Sequence, residues 1–308
     1  MTETFTLVHL SDVHLGPISG FKLRHWNAKR ALGLANWHRG RRHLHLRETA
    51  DLIAADALAQ NPDHIAVTGD LANLGLPGEF ATALTWLQTL GDPKHVSVVP
   101  GNHDIYSGRI GTASCLQVWA PFMRGSDAWD SENPVQFPYV RKLGSIALIG
   151  LNSAVPTPPF VAAGELGAAQ IERLATCLKE LGEAGVIRVV MIHHPPLPDQ
   201  APPRRALQDA AALTAVLERW GAELVLHGHN HRDMLAWRMS SGRGIPVVGV
   251  ASASAALQHK NDPLARYNVI RIRREGDVVH VNCESRGLAK SGGEVVSLAR
   301  QDLLMPTP

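Results

Sequence analysis

Apolar residues along this chain fall into short runs of strand length, alternating with longer stretches of helical period. Runs at 5–10, 64–67, 95–99, 187–192 and 223–226 predict buried strands. Between them the 3.6-residue period predicts helices over 46–60, 79–90, 168–182 and 209–220. Further strands are expected at 135–143, 145–151, 246–251, 267–273 and 278–284, with hairpin turns at Gly144 and at Glu275-Gly276-Asp277. The expected fold is α/β, a four-layer αββα sandwich of two mixed β-sheets flanked by helices. One domain over residues 1–285 is expected, followed by a tail over 286–308.

One segment departs from this alternation. From Val13 to Arg47 there is no acidic residue, while Lys22, Arg24, Lys29, Arg30, Arg39, Arg41, Arg42 and Arg47 are basic. Trp26, Leu32, Leu34, Trp37 and Leu44 are interleaved with them, which predicts an amphipathic helical insert over about 17–47. The chain has 30 Lys and Arg against 28 Asp and Glu, so a net charge of +2 conceals a basic patch on an otherwise acidic protein. A hydrophobic content of 45% supplies a sizeable core and argues against general disorder. Cys115, Cys177 and Cys283 are isolated and odd in number, against a disulfide framework or a thiolate metal site and in favour of a reducing compartment. The N-terminus enters a strand-like run with no leader pattern, and no apolar stretch approaches a membrane span, so a cytoplasmic location is expected.

Each of the five early-predicted strands is followed by a polar cluster: Asp12-Val13-His14, Gly69-Asp70, Gly101-Asn102-His103-Asp104, His193-His194-Pro195 and Gly228-His229-Asn230-His231. Ligand sites in such sheets gather at the carboxyl ends of strands. Asp12 and His14, two apart, can offer a hard oxygen and an imidazole to one cation. Asp70 carries two carboxylate oxygens and is placed to bridge two cations. Asn102 adds an oxygen donor without charge, and His103 is free to face a substrate. Asp104 is expected to hold that imidazole in one tautomer or keep it protonated. His193 adds a further donor, and His229 and His231 can converge on one metal or split between two. His194 is read as pocket wall or support, His227 as structural, and His64, His95, His259 and His280 as structural or surface residues.

In this order the clusters resemble the calcineurin-like metallophosphoesterase superfamily, over Asp12 to His231. The resemblance implies a pair of metal ions, manganese, iron or zinc, one held by Asp12, His14, Asp70 and His231, the other by Asp70, Asn102, His193 and His229. His103, with Asp104, would act on the phosphoryl group or the leaving oxygen. Hydrolysis by a hydroxide generated at the metal pair would follow. The Asp-Arg-Gly triplet of Ser/Thr protein phosphatases is missing after Gly69-Asp70. Gly69-Asp70-Leu71-Ala72-Asn73-Leu74-Gly75 is instead similar to the bacterial class III cyclic-nucleotide and glycerophosphodiester phosphodiesterase branch. A small phosphodiester substrate is therefore expected, and Asn73 is a candidate pocket residue. Two alternatives use the basic insert: a phospholipid or lipid-linked diester hydrolase docked on an anionic membrane, or a nuclease, which the acidic remainder disfavours. A non-catalytic scaffold is the least compatible with a complete ligand set.

Overall fold

The computed structural model describes residues 4–106, 114–129 and 131–303. Among these residues twelve strands form two mixed six-stranded sheets. The first sheet has the order β12-β11-β10-β1-β2-β3. Its strands are β1 (Phe5–Leu10), β2 (His64–Val67), β3 (Val96–Val98), β10 (Arg266–Glu275), β11 (Val278–Leu288) and β12 (Val295–Asp302). The second has the order β4-β5-β6-β7-β9-β8. It consists of β4 (Tyr139–Leu143), β5 (Ile146–Gly150), β6 (Ile187–Met191), β7 (Leu224–His227), β8 (Met234–Ser240) and β9 (Arg243–Gly249). The polar clusters follow strands paired in parallel: β1, β2 and β3 in the first sheet, and β6 and β7, flanked by the parallel β5 and β9, in the second.

Side-chain alternation explains the layering. Val189 and Met191 of β6 join the core that also holds Leu7, Ile65, Val96 and Val269 of the first sheet, so the two sheets share one apolar interior. Val190 and Ile192 point the other way, into a second core closed by Leu174 and Leu178 of one helix and Leu213 and Leu217 of another. The helices are α1 (Ala28–Asn36), α2 (Arg42–Leu44), α3 (Arg47–Ala59), α4 (Pro77–Leu90), α5 (Cys115–Val118), α6 (Ala168–Glu183) and α7 (Ala210–Trp220). Ile53 and Ala57 of α3, and Phe80 and Trp86 of α4, close the first sheet. The four-layer expectation matches this arrangement.

The insert is helical but not a detached surface element. Asn27 caps α1 by accepting from the Arg30 amide at 2.8 Å. Lys29 and Arg30 are buried, and Arg30 donates to the carbonyls of Leu74, Gly75 and His25. Between α1 and α2 the backbone forms one π-helical turn, Trp37–Arg41.

Two strands escaped the hydrophobic pattern. β8 follows the last cluster directly. The segment expected to be a tail instead extends β11 to Leu288 and adds β12, paired antiparallel through Cys283–Gln301 and Gly287–Val296. β12 is an edge strand, mostly exposed along its length, and so carries little apolar alternation. Residues 304–308 of that tail lie outside the described residues. Among the described residues no helix is long and apolar enough to cross a membrane.

Candidate metal centre

The strand ends bring the clusters together where the two sheets meet. Asp12 and His14 follow β1, Asp70 follows β2, Asn102 and His103 follow β3, His193 follows β6, and His229 and His231 follow β7. Five of these residues, Asp12, His14, Asp70, His229 and His231, have positive φ, between 44° and 71°. Left-handed backbone is uncommon outside glycine, costs free energy, and concentrates at functional sites. Close approach of the loops also requires glycine. A Cβ on Gly228 would collide with Ser11 Oγ and lie 2.6 Å from Asp12 Oδ2, and one on Gly101 would run into Asp70 Oδ1.

The donors form two groups, each with its ligand atoms within 4.8 Å of one another: Asp12, His14 and His231, and Asp70, His193 and His229. His14 donates from Nδ1 to the Ala72 carbonyl at 3.2 Å, and His193 from Nδ1 to the Thr68 carbonyl at 2.7 Å. Both Nε2 atoms are thereby turned inward as lone pairs, the arrangement in which a backbone acceptor fixes the tautomer of a ligand. His14 Nε2 lies 3.2 Å from His231 Nε2, and His193 Nε2 lies 3.2 Å from both Asn102 Oδ1 and His229 Nδ1. Asp70 Oδ2 stands 3.5 Å from His193 Nε2 and 3.8 Å from His14 Nε2, reaching both groups, while Oδ1 accepts from the His103 amide. Asp12 Oδ1 is buried with no hydrogen-bond partner, 3.3 Å from His231 Nε2. Imidazole nitrogens aimed at one another, beside a buried carboxylate oxygen left unpaired, fit divalent cations of the first transition row. Burial pushes His14 and His229 well below the ordinary imidazole value, so they are neutral donors. Burial, then the neighbouring Asp12 carboxylate, raises Asp70 to about 8 without metal.

A family model for calcineurin-like phosphoesterases matches residues 5–233. The chain belongs to this family. The phosphoesterase is 30% identical over 269 residues to a cAMP/cGMP dual specificity phosphodiesterase of Mycobacterium tuberculosis, covering 82% of this chain and 69% of that one. It is 28% identical over 207 residues to the glycerophosphodiester phosphodiesterase GpdQ of Enterobacter lignolyticus, covering 65% and 67%. Its fold is similar to that of a dimetal phosphatase from Danio rerio, with a TM-score of 0.59 at 15% identity over 95% of this chain and 98% of that one. The chain is a metal-dependent phosphoester hydrolase.

Above the two groups the phosphoesterase has an open cavity of about 330 Å³. His103 lines it and donates from Nδ1 to the Asn73 carbonyl at 2.6 Å, with its ring stacked on Tyr106. The orienting role expected of Asp104 therefore falls to a backbone carbonyl. Both Asp104 oxygens are instead taken by the amides of Asp70, Ala72 and Gly101, at 2.8–2.9 Å, so this carboxylate ties the β2 and β3 loops together. Asn73 serves through its carbonyl. Its side chain is buried and donates to Leu15. His194 is bound by Ser153 and the Ala162 carbonyl, and His64 by Ser97, as supports.

Sequence reasoning missed His45 and Arg205, and marked Arg41 only as one of the eight basic residues of the insert. The His45 ring stands 4.9 Å from that of His14 and 5.5 Å from that of His231, anchored through Nδ1 to Ser254 Oγ at 2.9 Å. Arg41, four residues earlier, donates from Nη1 to His103 Nε2 at 3.1 Å. Arg205 and His259 also line the cavity, although His259 is expected from the sequence to be a structural or surface residue. No spacing rule marks them, because their place depends on how the insert and a long loop cross the strand ends.

Proposed function

We propose that this phosphoesterase hydrolyses phosphodiesters of small molecules, using a dinuclear centre of manganese, iron or zinc. One cation would be held by Asp12, His14, Asp70 and His231, the other by Asp70, Asn102, His193 and His229. The supporting observation is the convergence of six donors into two groups of three, with Asn102 Oδ1 3.2 Å from His193 Nε2 and Asp70 Oδ2 3.8 Å and 3.5 Å from one imidazole of each group, beside one cavity. Bound there, the cations would supply Lewis acidity toward the phosphoryl oxygens and acidify an attacking water. The Asn73 carbonyl holds His103 Nδ1, so Nε2, which accepts from Arg41 Nη1 at 3.1 Å, is the ring nitrogen available to a substrate that displaces this contact. Burial, then the charge of Arg41, pushes this imidazole well below its ordinary value, so the ring is neutral here; an anionic phosphoryl group beside Nε2 would favour its protonation, and that proton could then pass to a departing alkoxide. The two phosphodiesterase relatives favour a cyclic nucleotide or glycerophosphodiester over a monoester.

The test is metal analysis of the purified protein alongside turnover of bis(p-nitrophenyl) phosphate and p-nitrophenyl phosphate. Two metal ions per chain and faster diester cleavage are expected. Protein loaded with two metals that leaves the diester intact would overturn the proposal. A second reading, a lipid-linked diester hydrolysed at an anionic surface, is favoured by Leu23 and Trp26, which are 92% and 60% exposed in the segment without acidic residues. Burial of Lys29 and Arg30 weakens it, and co-sedimentation with phosphatidylserine vesicles separates the two.

A further inference from the structure

Three buried or half-buried guanidinium groups elsewhere among the described residues are surrounded by oxygen. Arg30 donates to three backbone carbonyls, Arg141 to those of Pro93, Pro121, Arg124 and Val96, and Arg188 to Glu223, Leu178 and Trp220. Half-buried Arg41 differs from these three. It projects into the cavity with only the His103 ring as a hydrogen-bond partner, and it makes no ion pair among the described residues. Arg205, an exposed residue that lines the same cavity, spends one Nη2 hydrogen bond on the His229 carbonyl and likewise has no carboxylate partner among the described residues. The nearby carboxylates are committed: Asp12 and Asp70 to the histidine groups, and Asp262 to Arg232. A π-helical turn, an irregularity that often marks functional positions, ends at Arg41.

We propose that Arg41 and Arg205 form an anion subsite that takes a second phosphate of the substrate, separate from the diester being cleaved. The inference rests on the phosphodiesterase reading above. A phosphodiester brings one negative charge, whereas a terminal phosphate brings close to two and presents oxygens that match guanidinium forks. The preferred substrate is then a phosphodiester that also carries a phosphate monoester, with its organic linker against Leu44, Leu257 and Pro263.

The matched probes are thymidine 5′-(p-nitrophenyl phosphate) with and without a 3′-phosphate, which share leaving group and scissile bond. The parent protein should favour the 3′-phosphorylated ester about tenfold or more in kcat/KM, the worth of a hydrogen bond to a charged group. Arg41→Gln and Arg205→Gln should each shrink that ratio and the double variant should bring it near one, while Arg39→Gln, at an exposed position, should keep it. Calorimetric titration without added metal should give the same ranking for thymidine 3′,5′-bisphosphate over thymidine 5′-phosphate. Equal kcat/KM for the two esters in the parent, or a ratio unmoved in Arg41→Gln, would overturn the subsite. If no diester is cleaved at all, the phosphodiesterase reading fails, and the binding comparison alone decides the subsite.

Discussion

Asp70 concentrates the chemistry of the site in one side chain, since Oδ2 reaches both donor groups while Oδ1 is tied to the His103 amide. Asp70→Asn, which keeps the shape and removes the charge, should lower the occupancy of both metals together. Metal analysis after dialysis that still finds two ions per chain would contradict a shared ligand. His64 allows a cleaner reading of pH, because its partner is Ser97 Oγ at 2.7 Å, away from the donor groups. Burial, then Arg141, lowers this imidazole to about 3. In the folded protein it stays neutral while the unfolded chain takes up a proton below about 6.5, so its contribution is whole above that pH and declines on acidification toward 3. The decline should approach about 1.4 kcal/mol per pH unit, and His64→Asn should flatten the denaturation midpoint against pH over 4–6.5. At this scale the donors were legible from the sequence, because residue type states the chemistry. The left-handed φ at five of them was not, nor was the use of Asp104, because both depend on how separate loops meet.

Among the elements, the insert carries the sharpest contrast between position and charge. Arg39 and Arg42 are exposed, Arg41 enters the cavity, and Arg30 is buried, bracing α1 against the loop after β2. Arg30→Met should destabilise the protein by about 2–4 kcal/mol, since it strands buried carbonyls. Arg39→Gln should change stability by less than about 0.5 kcal/mol. Urea denaturation of the two variants measures both. Sequence periodicity recovered β1 and β2 at their observed bounds and α3, α6 and α7 within a residue or two, because each buries an apolar face. It missed β12, whose residues are mostly exposed, and β8, a partly buried strand on the other sheet's edge. Edge strands are specified by pairing more than by burial, and pairing leaves no trace in a hydrophobic pattern.

On the scale of the whole molecule, each donor group draws on both sheets: Asp12 and His14 with His231, and Asp70 with His193 and His229. Metal bound there would clamp the two sheets and stabilise the folded state by linkage, about 2.7 kcal/mol at a free concentration a hundredfold above Kd. Chelation should therefore lower Tm by roughly 5 °C or more, reversed by added manganese or zinc. An unchanged Tm would mean that the donor groups bind no metal tightly. The strand order also sets a timetable for synthesis. β1 is made first but lies between β2 and β10, and β10 begins only at Arg266. Throughout translation of the intervening residues, one side of β1 has no permanent neighbour. A ribosome stalled before that point would hold a nascent chain with every metal-binding side chain already made and the central strand of its first sheet still open to aggregation.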